Sequence, residues 1–153
     1  MAKSLEILVQ FEIDQIEQLL ATYAPLRDAV QYTQPDVVQI TAIAAMLHSF
    51  YNGVEHMFTI IAKQVDGELP AGAQWHRTLL DQMSRPTATR LAVISPLLMQ
   101  HLSPYLAFRH FFRHAYSFLL SWNKIEHLLP PLLAVWADTK HETLAFIDNT
   151  EIS

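Results

Sequence analysis

The sequence contains no cysteine, which excludes disulfides and thiolate-bound metal. It has only three glycines and no Asn-Gly or Asp-Gly hairpin turn. Its single Asp-Gly, Asp66-Gly67, leads into Glu68 and Leu69-Pro70 rather than into a strand, which argues against an all-β fold built on tight hairpins. Charged residues are scarce, 16% against 51% hydrophobic, so part of the surface is expected to meet a partner and an oligomer is expected. No Glu-x-x-His occurs, which argues against a di-iron carboxylate bundle. No unbroken apolar run reaches the roughly 18 residues of a membrane span. The first ten residues include Glu6 and show no signal-peptide pattern. These features point to a cytoplasmic protein without membrane association, and 153 residues fit a single domain spanning 1–153.

The net charge of −5 conceals a strong segregation. Between Ala73 and Lys124 stand Arg77, Arg85, Arg90, Arg109, Arg113 and Lys124 against Asp81 alone, while both flanks are acidic. This basic island holds five of the six arginines and reads either as chance segregation or as a local anion-binding face.

The apolar spacing is helical throughout. Leu5, Leu8, Val9, Ile13, Ile16, Leu19, Leu20 and Tyr23 define a first helix, with Ser4 as its expected cap and Pro25 as its end or a kink. Pro35-Asp36 starts a second helix to about Val65, with Pro35 near its first position and Asp36 in its first turn. That helix is apolar nearly all round, the pattern of a central helix. Asp66 to Gly72 is a loop, followed by a short helix from Gln74 to Met83. Thr87 is expected to cap a helix to Ile94, and Ser95-Pro96 to begin another to His101. Ser103-Pro104 is expected to open a further helix from Tyr105 to Ser121. Pro130-Pro131 precedes a last helix to Asp148, with Leu132, Leu133, Val135, Trp136, Leu144 and Ile147 inward. The expected fold is all-α: a bundle of four to five main helices plus a short-helix insert.

Chemistry concentrates at Arg109-His110-Phe111-Phe112-Arg113-His114-Ala115-Tyr116. At about 100° per residue, Arg109, Arg113 and Tyr116 share one stripe and His110 and His114 the next. Phe108, Phe111, Phe112, Ala115, Phe118 and Leu119 take the other faces. Three readings compete. The polar face is a solvated one. Alternatively, His110 and His114, at helical His-x-x-x-His spacing, bind a metal with His48 or His101 as third ligand, although the flanking arginines repel a cation. The third and favoured reading is phosphodiester chemistry. Metal-free RNA cleavage needs a base for the ribose 2′-hydroxyl and a fixed cationic donor for the phosphate; histidine and arginine supply them. Elsewhere, Glu55 and His56 read as structural or interface residues, Asn52-Gly53 as helix packing, Trp75 as an anchor and Trp75-His76 as a stacking surface for RNA.

Arg109-His110-x-x-x-His114-x-Tyr116 resembles the Arg-x4-6-His signature of HEPN-domain ribonucleases, in the longer Arg-x4-His-x-Tyr form of HepT-like toxins. Tyr51-Asn52-Gly53-Val54-Glu55, Asp66-Gly67 and Trp75-His76-x-x-Leu79-Leu80 resemble further stretches of that group, in the same order. The resemblance implies an α-helical homodimer that cleaves RNA without metal or other cofactor at a cleft built from both copies of the motif. It implies Arg109 and His114 as catalytic, with His110 and Arg113 in support or on the RNA backbone. It further implies a toxin of a type II/VII-like toxin–antitoxin pair, whose MNT-type nucleotidyltransferase antitoxin transfers AMP onto Tyr116. A non-catalytic HEPN-like module binding a nucleotide or a partner is the alternative. On a regular helix Arg109 and His114 stand about 140° apart, so a second copy is expected to complete the site.

Overall fold

A computed structural model describes residues 2–116 and 120–152. Seven α-helices and no strand are found among the described residues: α1 (Ala2–Thr22), α2 (Ala24–Ala29), α3 (Val37–Ile61), α4 (Trp75–Met83), α5 (Pro96–His114), α6 (Trp122–Ile125) and α7 (Leu132–Ile152). The expected all-α bundle is what forms, with α1, α3, α5 and α7 as its long members and α4 as the insert.

The central helix is α3. It packs against α1, α4 and α5, and Ile43, Met46, Leu47, Phe50, Tyr51, Val54, Met57, Phe58 and Ile61 are all buried. By length and hydropathy alone the stretch Val37–Asp66 equals a membrane span. Here its middle and C-terminal turns are largely covered by neighbouring helices, while Val37 and Val38 at its start are exposed. Asp36 is the N-cap rather than a first-turn residue: it accepts the Gln39 N–H at 2.8 Å, and Gln39 Oε1 accepts the Asp36 N–H at 3.0 Å. The helix ends in a π-helical turn, Ala62–Asp66, stopped by Gly67 at φ 76°, which favours glycine. The stripe Leu5, Val9, Ile13, Ile16 and Leu20 seats α1 in the core. Gly53 permits the close approach: a Cβ there would lie 2.6 Å from Ile16 Cγ1.

Several boundaries differ from the sequence reading. Ser4 lies inside α1 rather than capping it. Pro25 ends nothing; it sits in the first turn of the short α2. No helix forms between Thr87 and Ile94. Arg90 holds residues 85–94 instead: its Nε and Nη2 donate to Asp66 at 2.5 and 2.8 Å, and it also donates to the carbonyls of Gln82, Arg85 and Leu91. Burial alone would raise the Asp66 carboxyl, but the hydrogen bonds from Arg90 and Gln82 and the Arg90 charge hold it below its ordinary value.

The two expected helices at 96–101 and 105–121 are a single helix, α5, which contains Pro104 and ends at His114. Only the first Ser-Pro is a start. Ser95 Oγ accepts the Leu98 N–H at 3.1 Å, whereas Ser103 Oγ donates to the Met99 carbonyl one turn back at 3.0 Å. In α7, Leu132, Val135, Trp136 and Ile147 are buried as expected, but Leu133 is exposed and Leu144 half-buried.

Candidate functional site

The last turns of α5 lie beside α3 and α4, and the site is built where the three meet. Arg109 is the one motif residue carried inward. It is buried, while His110, Arg113 and His114 are exposed along the edge. A guanidinium in such a position must be paired. Its Nε donates to Asn52 Oδ1 at 2.5 Å, and its Nη2 lies 3.6 Å from Glu55 Oε1. Glu55 in turn accepts from His76 Nδ1 at 2.7 Å, with both side chains largely withdrawn from solvent. Arg109 Nη1 lies 3.4 Å from the same His76 nitrogen. Asn52 and Glu55 are one turn apart on α3, so both reach the same side of the helix.

Glu55 was expected to be structural or interfacial, and Asn52 a packing residue. Both instead hold the arginine of the motif. A signal for this was present: a carboxylate on a helix apolar nearly all round needs a cationic partner. His56, also read as structural, is exposed and stands 3.7 Å from Glu12. Trp75 is half-buried, and its ring lies against the His76 ring with centroids 3.8 Å apart.

A cleft of about 450 Å³ opens over this cluster, lined by Ala73, Gln74, His76, Arg77, Leu106, Ala107, Arg109, His110, Arg113 and His114. Arg109 and His114 thus border one cleft within one chain, in spite of their separation around the helix, because α4 closes its other side. Of the basic island, Arg77, Arg109 and Arg113 reach this cleft; Arg90 serves Asp66 instead. The rings of His110 and His114 are 4.5 Å apart, the expected one-turn neighbours. No group of three or more His, Cys, Asp or Glu side chains that could hold a metal occurs among the described residues.

Tyr116 leaves the stripe assigned to it. Ala115 is extended (φ −102°, ψ 147°), so the helical phase is lost, and Tyr116 stands 73% exposed just past the helix end. Phe118 and Leu119 lie outside the described residues.

Behind the arginine, Asn52 has its oxygen engaged by Arg109, so its amide donates to His48 Nδ1 at 3.4 Å. His48 therefore carries its proton on Nε2. Burial, then the charges of Arg109 and Arg113, lower its pKa from the ordinary value. Burial and the neighbouring Glu55 carboxylate push the Tyr51 hydroxyl well up, keeping it protonated.

Comparison with known proteins agrees with the sequence resemblance. A family model described as HepT-like protein matches residues 42–150, which takes in most of α3, the cleft and the whole motif. No curated protein and no solved structure matched the chain.

Proposed function

The chain belongs to the HepT-like proteins, a family of HEPN type, and on that premise we propose that it is a metal-independent endoribonuclease. The observation that carries this reading is the lining of the cleft: three guanidinium groups and three imidazoles, with no carboxylate at its wall. Such a surface attracts a phosphodiester and repels a divalent cation. Arg109, fixed by Asn52 and Glu55, is pre-organised to hold the phosphate oxygens as negative charge grows on them. His114 moves a proton at the ribose or at the leaving oxygen. His110 and Arg113 contact the RNA backbone beside them. A homodimer would join two such clefts.

The same reading makes the chain the toxin of a toxin–antitoxin pair, with a nucleotidyltransferase antitoxin that transfers AMP onto Tyr116. The exposure of Tyr116 supports this, since an acceptor hydroxyl must enter another protein's active site. An added phosphate would also sit a few residues from Arg113, where charge pairing would block the cleft.

The test is cleavage of total cellular RNA in EDTA. Wild type is expected to cut, with Arg109→Ala and His114→Ala reduced by 10²-fold or more. Equal activity in all three would remove the catalytic assignment, and no cleavage by the wild type would leave a binding module. Incubation with the cognate nucleotidyltransferase and ATP is expected to add one AMP, and a mass shift that persists in Tyr116→Phe would refute that acceptor.

A further inference from the structure

We propose that His76, seated on Glu55, is the general base of the cleft, and that His114 is its acid. The inference rests on the reading of the cleft as a ribonuclease site and adds to it a catalytic residue outside the motif.

Cutting RNA by attack of its own 2′-oxygen needs two proton transfers, one from the nucleophile and one to the leaving group. The cleft holds three imidazoles, and they are not equivalent. His110 and His114 are exposed, lie with their rings tilted against each other, and have no carboxylate in ion-pairing reach among the described residues. His76 is built differently. Glu55, with a side chain only 5% exposed, accepts from its Nδ1 at 2.7 Å. A carboxylate oxygen can only accept there, so Nδ1 carries the hydrogen and the opposite nitrogen, Nε2, holds the free lone pair. Arg109 Nη1, 3.4 Å from Nδ1, is a second donor and makes no hydrogen bond to it. It marks instead how close the guanidinium lies to this imidazole. The Trp75 ring, 3.8 Å away between centroids, fixes the plane. With 23% of its side chain exposed, His76 still reaches the cleft it lines.

A carboxylate behind an imidazole orients the ring and stabilises the cation formed when it takes a proton. That is the requirement for a base, and His76 alone among the three meets it. The step balances as follows. The 2′-hydroxyl proton passes to His76 Nε2 while the 2′-oxygen bonds to phosphorus. The bond from phosphorus to the 5′-oxygen breaks, its electron pair stays on that oxygen, and His114 supplies the proton. The products are a 2′,3′-cyclic phosphate and a 5′-hydroxyl end, and water returns both histidines to their starting states. Charged groups around the reacting atoms are Glu55 from α3, Arg77 from α4, and Arg109, His110, Arg113 and His114 from α5. Glu55 acts through His76 and is a positioning residue.

The experiment uses the full chain and two substrates. The cut is first mapped on total cellular RNA, and a short RNA is then synthesised with sulfur replacing the leaving 5′-oxygen at that position. A thiolate leaves without protonation, so it relieves the need for an acid but not for a base. His76→Asn keeps an N–H for Glu55 and removes the base. It is expected to slow cleavage of ordinary RNA by 10²- to 10⁴-fold and to remain slow on the sulfur substrate. His114→Ala is expected to be slow on the first and restored on the second. Glu55→Gln is expected to lose roughly tenfold or more in kcat at an unchanged KM, measured below its lowered melting midpoint. It serves as the second variant should His76→Asn fail to melt cooperatively. His76→Asn cutting at the wild-type rate, or restored by sulfur, overturns the inference while the ribonuclease reading stands. In the Glu55→Gln arm, a wild-type kcat overturns it. A wild type that cuts no RNA overturns both.

Discussion

Asn52 on α3 accepts the Nε–H of Arg109 on α5 at 2.5 Å, joining residues 57 positions apart in the chain. This bond sets the rotation of the guanidinium, because Nε is the donor nearest the stem. Asn52→Ala leaves the charge in place but frees its orientation. The expected outcome is a roughly tenfold loss of RNA cleavage, equivalent to about 1.4 kcal/mol of transition-state stabilisation. Binding of uncut RNA should change little, which a filter-binding titration at fixed salt would check.

Gly53, the next residue, serves packing. A Cβ there would lie 2.6 Å from Ile16 Cγ1 and 2.9 Å from Cδ1, and Ile16 is buried in the core. Overpacking costs about 1–3 kcal/mol, and alanine regains up to about 1 in a helix. Gly53→Ala is therefore expected to lose about 1–2 kcal/mol in urea unfolding. The loss should shrink when Ile16→Val is made first, since that substitution opens space at the contact.

His48 makes stability depend on pH. Its pKa in the folded chain lies below the ordinary 6.5, first through burial and then through Arg109 and Arg113. The unfolded chain then binds the proton more readily than the folded one. Its contribution is complete above the ordinary value and declines as pH falls below it. Wild type should lose more of its urea midpoint between about pH 7.5 and 5.5 than His48→Phe does. Parallel slopes for the two would refute this.

Arg90 and Asp66 form a pair with side chains 3% and 6% exposed. Arg90→Leu leaves a buried carboxylate without its cation and should cost about 3–5 kcal/mol. Adding Asp66→Asn removes the stranded charge and should recover a large part of it. Melting midpoints of the single and double variants decide the matter.

Much of the fold was legible because hydrophobic spacing is a local record of a global core. The near-continuous apolar pattern from Val37 to Ile61 announced a helix surrounded by others, and α3 is that helix. Capping was less legible. Ser95-Pro96 and Ser103-Pro104 look alike in sequence, yet one hydroxyl accepts from the turn ahead and the other donates to the turn behind. The segment after Thr87 fails as a helix because Arg90, within it, turns its side chain to the distant Asp66 and to the carbonyls of Arg85 and Leu91. At the site, the motif was visible as an excess of polarity on one helix. Its partners were less so, because Asn52, Glu55 and His76 lie on other elements and each has an ordinary structural role as its commonest use; only the carboxylate of Glu55 on an apolar helix pointed to a cation.

The way Glu55 is buried between Arg109 and His76 has a consequence for how such a chain can diverge. Neutralising any one of the three strands a charge or a donor away from water, so single substitutions are heavily penalised whatever their effect on cleavage. Descendants that abandon the chemistry should therefore replace positions 55, 76 and 109 together. Among relatives that have lost cleavage these positions should covary as a set, while His110, Arg113 and His114 on the exposed edge drift independently.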